Sequence, residues 1–349
     1  MAMKDIKVET FDVNIGASGS THTLTNDVGS TSKAFIKRNC SSDKCSSGPT
    51  GSTDNTGPNV AHCGCDLTAT DTITFYKNTS TEVKMMGEVW RYVGSIGGKN
   101  EFVSRGVYAV SVSGSTASTA VSGVSDRNKC VPFLLGVDTS LTSTSDYERT
   151  TFYAYIDASG NVVVGNNNSD ASGTVYVQVV EFTGDNWNVG HGVSSSHDSS
   201  SETVTLNTDS TGTGGSTFDV TDWETAFIEA TMGGDSSETG LSDVLVNVYP
   251  GANTTSVVFD PQEGDGSARN DSTGYIHVVQ NDNIVVKRAH DSNVSEGNGS
   301  YNTVSWPTGA STSRDIDQLA LEWFVDTSGT GTAHARGRLG ARITDATGT

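Results

Sequence analysis

The chain has 349 residues, room for two or three domains with separate cores, and 34% of them are hydrophobic. A net charge of −20, from 41 acidic and 21 basic residues, sets an acidic surface against nucleic-acid phosphates, so no DNA or RNA binding is expected. No apolar run reaches the roughly 18 residues of a membrane span, and Met1-Ala2-Met3-Lys4-Asp5-Ile6-Lys7 has no signal-peptide core, so neither membrane insertion nor export is expected.

Apolar residues come in short bursts between glycine-bearing polar stretches, without sustained helical spacing. That texture predicts an all-β fold with almost no helix: three tandem small antiparallel β-sandwich modules, at 1–106, 107–192 and 193–349. In the first module, strands are expected at 22–28, 33–37, 71–76 and 88–94, with a tail at Ser104-Arg105-Gly106. The second, the minimal unit, repeats the pattern at 107–112, 118–124, 129–135, 150–155 and 179–184, and its tail is Gly190-His191-Gly192. The third repeats it at 203–207, 225–230, 244–249 and 321–326, ending in Ala335-Arg336-Gly337. Along the second module's closing strand, Val177, Val179 and Phe182 are expected to face the core, while Gln and Thr face water or a neighbour. Trp90 and Trp323 take equivalent strand positions and are read as core. The polar loops 41–66, 207–222 and 262–274 are placed at the sandwich ends, where long loops usually serve function or a partner.

Cys40, Cys45, His62, Cys63 and Cys65 crowd the first of these loops. Thiolates and an imidazole can hold a tetrahedral Zn²⁺, although C-x4-C-x17-C-x-C is not a standard zinc spacing. Disulfides from Cys40 or Cys45 to Cys63 or Cys65 would fasten the same loop, and free thiols are the third reading. Cys130, alone in a strand, reads as a small buried hydrophobe. Glu263-Gly264-Asp265-Gly266 with Asn270-Asp271 offers oxygen ligands for a structural Ca²⁺ but does not follow the EF-hand pattern, and a solvated acidic loop is the reading it favours.

Asp185-Asn186-Trp187-Asn188 is the most lectin-like stretch, with a ring to stack on a sugar and polar neighbours to hydrogen-bond it. The reading the residues favour over this is a closing-strand anchor packed on the adjacent module. Trp306, Tyr147 and Tyr301 sit in similar polar settings. The histidines His22, His62, His191, His197, His277, His290 and His334 form no H-E-x-x-H pattern, and no G-x-S-x-G or Walker loop occurs. No catalytic residue is nominated, and no enzyme activity is expected.

The segments Met86-Gly87-Glu88-Val89-Trp90-Arg91-Tyr92, Thr31-Ser32-Lys33-Ala34-Phe35-Ile36 and residues 177–192 resemble repeats in structural and tail-fibre proteins of environmental tailed phages and archaeal viruses. The opening pattern is also similar to H-type lectin modules, small sugar-binding β-sandwiches. The resemblance covers most of 6–192 and, more loosely, 193–349. It implies a tail, fibre or capsid-decoration subunit on a virion, assembled in the host cytoplasm beside other virion proteins and copies of itself, with contact to host-surface glycans. Two alternatives are a dedicated receptor-binding adhesin and a cell-surface layer or filament protein.

Overall fold

The computed structural model describes residues 5–286 except 17, 43–57, 81, 144–145, 147, 196–200, 235–245, 262–272 and 285. Apart from one helical turn, Pro58–Ala61, and short 3₁₀ turns, the regular structure is all strand.

The first six strands are β1 (Ile6–Ile15), β2 (Thr21–Thr23), β3 (Ala34–Ser42), β4 (Gly64–Ala69), β5 (Thr72–Tyr76) and β6 (Val83–Tyr92). They form two antiparallel sheets in the orders β1-β6-β3 and β2-β5-β4. The next six are β7 (Val103–Ser113), β8 (Thr116–Ala120), β9 (Cys130–Asp138), β10 (Tyr153–Ile156), β11 (Asn161–Gly165) and β12 (Ser172–Glu181). Their sheets are β7-β12-β9 and β10-β11-β8. The last six, β13 (Asn188–Ser195), β14 (Glu202–Thr205), β15 (Ala226–Met232), β16 (Val246–Pro250), β17 (Ser256–Pro261) and β18 (Thr273–Gln280), give β13-β18-β15 and β14-β17-β16. In each set, strands one, six and three make one sheet, and two, five and four make the other. One six-strand sandwich is built three times.

The repeat extends to side chains. A 3₁₀ turn leads into the third strand of every sandwich, capped by Ser30, Asp126 or Asp222 accepting a backbone N–H two residues on. The third strand then opens on Ala34, Cys130 or Ala226, each fully buried. Opposite these small residues stand Arg91, Glu181 and Gln280 of the sixth strands. All three reach back to the loop before the 3₁₀ turn: Arg91 donates to Asp27 O, Glu181 accepts from the Ser125 and Asp126 amides, and Gln280 accepts from Thr221 N. Cys130 therefore occupies an alanine position, in keeping with its reading as a small hydrophobe.

The register moves several expected boundaries. β7 begins at Val103, not 107, and β13 begins at Asn188, so Gly190-His191-Gly192 is mid-strand in the third sandwich and not the tail of the second. The third sandwich closes with β18, which pairs with both β13 and β15; the expected closing strand at 321–326, with Trp323, lies outside the described residues. The segment 71–76 is a fifth strand, whereas 150–155 and 244–249 cover fourth strands. Fourth and fifth strands form one short hairpin with similar alternation, and sequence spacing alone does not separate them.

Burial explains the strand compositions. β8 shows no buried residue, as expected of a solvent-facing edge. β9, the second half of β12, and β18 are buried almost residue by residue, which requires cover on both sheet faces. That cover is the neighbouring sandwich. The largest apolar cluster joins Phe35 and Trp90 of the first sandwich, Phe133 and Phe182 of the second, and Phe227 and Val279 of the third. Phe35 stacks on Phe133 with ring centroids 4.8 Å apart, and Trp90 lies 5.7 Å from Phe227. Separate clusters fill the interiors of the second and third sandwiches.

Candidate functional site: the joints between sandwiches

Among the described residues β3 is an edge strand, with backbone groups that no further strand pairs. Gln178 of β12 fills that role with its side chain. Its Oε1 accepts from Ile36 N at 2.8 Å, and its Nε2 donates to Ala34 O at 3.1 Å and to Ser104 Oγ at 2.7 Å. The amide is 1% exposed, so it is fixed in place of a peptide group. Two residues earlier, Tyr176 stacks on Tyr76 of β5, centroids 4.6 Å apart and rings nearly parallel. The β7-β12-β9 face thereby covers the β3 and β4 side of the first sandwich.

The third sandwich docks on the second with equivalent side chains of its own, but on the edge of the fourth strand rather than the third. His277 of β18 is the register equivalent of Gln178, and Tyr275 that of Tyr176. Tyr275 stacks on Tyr155 of β10 with centroids 4.2 Å apart. The edge backbone of β10 is met at Ala154, whose N–H donates to Thr231 Oγ1 at 3.1 Å and whose carbonyl lies 3.3 Å from His277 Nε2. The first sandwich carries Glu88 at the equivalent place, also buried. A buried polar residue flanked by apolar ones thus recurs at one register position as Glu88, Gln178 and His277.

His277 does not act alone. Its Nδ1 lies 2.9 Å from His191 Nδ1, and His191 Nε2 is 2.9 Å from Asn128 O. Both rings are essentially unexposed. Burial holds His191 down at about 4 and His277 at about 3. Beside them residues 207–217, part of the 207–222 loop expected at a sandwich end, clamp the second sandwich. Asp209 takes a two-pronged ion pair from Arg127, at 2.6 and 3.2 Å, which holds its carboxyl down at about 2. Ser210 donates to Ile156 O and, through its backbone, to Asn128 Oδ1.

The predicted cysteine cluster lies partly at the first joint. His62 Nε2 is 3.0 Å from Thr150 Oγ1 of the second sandwich. Cys63 and Cys65 carry no disulfide; their thiols point at the carbonyls of Gly64 and Leu135. Burial pushes Cys63 up to about 12 and raises Cys65 as well. Of the three readings, free thiols fit Cys63 and Cys65, both packed at the joint. The Cys40 backbone pairs with Met86, and Cys45 lies outside the described residues, where the Glu263–Asp271 acidic loop, Tyr147, Tyr301 and Trp306 also fall. Among the described residues, no three metal-binding side chains converge.

At Asp185-Asn186-Trp187-Asn188 the structure agrees with the strand-anchor reading rather than the sugar-binding one. Trp187 is 1% exposed and packs on Phe182 with centroids 4.9 Å apart, so its ring has no face free for a sugar. Asn186 is spent on the linker of the first sandwich, donating to Asn100 Oδ1 at 2.8 Å and to Lys99 O through its backbone. Asn188 opens β13 opposite Gln280, and Asp185 is exposed. The physical reason is the shared apolar cluster: the chain passes between sandwiches here, and a large ring fills the gap.

No family model, curated protein or solved structure matches the chain. No helix among the described residues is long and apolar enough to cross a membrane.

Proposed function

We propose that the protein is a non-catalytic structural component of a virion surface, a tail, fibre or capsid-decoration subunit that presents a stiff array of sandwiches. The observation that carries this reading is the repeated joint. Twice, the face of one sheet covers the strand edges of the preceding sandwich, with a buried polar side chain on edge backbone and a tyrosine stack beside it. Covering edges in this way suppresses uncontrolled strand pairing and makes successive modules one body. Both properties suit a protein packed at high copy number. The acidic surface adds solubility in a crowded shell.

A dedicated glycan-binding adhesin has less support, since the ring best suited to stack on a sugar is buried. Immunogold imaging of purified particles, with antibody raised against the second sandwich, tests the proposal. Label on the particle exterior supports it; antigen confined to particle-free fractions overturns it.

A further inference from the structure

The His191–His277 contact has a proton-counting problem. A carbonyl, two imidazoles and a second carbonyl stand in a row: Asn128 O, His191 Nε2 and Nδ1, His277 Nδ1 and Nε2, Ala154 O. Three gaps separate them, each between two lone-pair-bearing atoms. Two neutral imidazoles carry one N–H each, so they fill two gaps. The longest gap, 3.3 Å at Ala154 O, is the one a neutral pair leaves without a proton at least cost. One added proton fills all three gaps but buries a cation. Two added protons set N–H against N–H across 2.9 Å between two like charges, which the closed joint cannot hold.

We propose that this pair is a proton-binding latch between the second and third sandwiches, closed while it holds no more than one added proton and released when both rings become imidazolium. Once apart and in water, each ring takes its own proton near the ordinary histidine value of about 6.5, so acid favours the open form.

The sign follows from the folded values of about 4 and about 3. Both lie below that of a solvated histidine, so the open form binds more protons between about pH 6.5 and about pH 4. The latch is fully closed above that window and weakens as pH falls through it. The charged groups facing His191 are Asp209, Arg127 and Asp126, from the clamping loop and the 3₁₀ turn. Asp209 and Arg127 are paired with each other, and Asp209, held at about 2, stays ionised through the window. His277 faces His191 and the Ala154 backbone; Glu229 stands across from it in register, and its charge acts on Arg38 of the first sandwich.

The repeat supplies its own control, because the equivalent of His277 in the second sandwich is Gln178, a neutral residue that keeps its joint closed. The test uses the full chain with a fluorescence donor and acceptor placed on exposed positions of the second and third sandwiches. The wild type is expected to show a cooperative loss of energy transfer between pH 7 and pH 4, fully reversed on neutralising. The H191Q/H277Q double variant is expected to show none across that range. Equal profiles for the two proteins overturn the latch. If the double variant does not fold, imidazole ¹⁵N titration of the wild type decides: two rings protonating near 6.5 with energy transfer unchanged overturns it, and coincident protonation and loss of transfer supports it.

Discussion

Gln178 of the second sandwich meets Ile36 of the first as another β-strand would, accepting its amide N–H at 2.8 Å inside a fully buried joint. Replacing it with alanine strips partners from Ile36 N, Ala34 O and Ser104 Oγ together. Leaving buried backbone groups unsatisfied costs about 1–3 kcal/mol each when water cannot replace the partner. Gln178→Ala is expected to lower unfolding stability by about 2–3 kcal/mol in urea denaturation, and more than the corresponding change at Gln280, whose partners lie within its own sandwich.

The first joint also depends on Gly136. Its φ is +122°, and a Cβ there would lie 2.0 Å from Cys63 O, because a β-bulge brings β9 against the chain entering β4. Backbone strain and steric overlap therefore act together. Gly136→Ala is expected to cost at least about 2 kcal/mol by thermal unfolding, whereas Gly160→Ala, at φ +79° but with nothing within 4 Å, costs about 1 kcal/mol.

Thiol chemistry gives a third expectation. Cys63, Cys65 and Cys130 are buried, and burial raises all three well above an ordinary thiol. Residue-resolved mass spectrometry after iodoacetamide treatment at pH 8 should find these three unmodified in the native protein and modified in denaturant. Labelling of Cys65 under native conditions would place it outside the joint.

Acid should unfold the protein in two stages. The histidine pair weakens first, below about pH 6.5. Burial pushes the Glu181 carboxyl up, but donors from Ser125, Asp126 and Arg105 outweigh it and hold the group below its usual value. Asp209, on Arg127, sits at about 2. A carboxyl lowered on folding adds stability above its unfolded value of about 4 that is lost as pH falls through the folded one. Glu181→Gln is expected to flatten the limb below pH 4 and leave the limb between pH 6.5 and 4 unchanged, as read by denaturation midpoints against pH.

Much of the fold was legible. The 3₁₀ turn and third strand repeat as Ser30 to Ile36, Asp126 to Pro132 and Asp222 to Ile228, a signal strong enough to find from residue types alone. The alternation of Val177, Gln178 and Val179 sent the glutamine away from its own core, toward water or a neighbour, and the neighbour is what it meets. The site itself was mostly hidden. His191 was placed in a tail because glycines flank it, yet Gly190 and Gly192 are there for packing: a Cβ on either would strike Phe218 or Val204. Trp187 left two readings open, a sugar platform and a strand anchor; its polar neighbours serve a linker where three sandwiches meet, which fits the anchor. Such contacts are set by how sandwiches dock, and docking leaves only a faint trace: one polar residue inside an apolar strand, as in Tyr275-Ile276-His277-Val278-Val279.

Side chains of one sandwich complete the strand edges of the one before it. Residue-resolved amide hydrogen exchange of the full chain at neutral pH measures this directly at Ile36 and Ala154. Protection at both amides is expected to equal that of central-strand residues such as Val177 and Val278, with Ile36 losing it in Gln178→Ala. Exchange at Ile36 and Ala154 as fast as at an uncovered edge strand would contradict it.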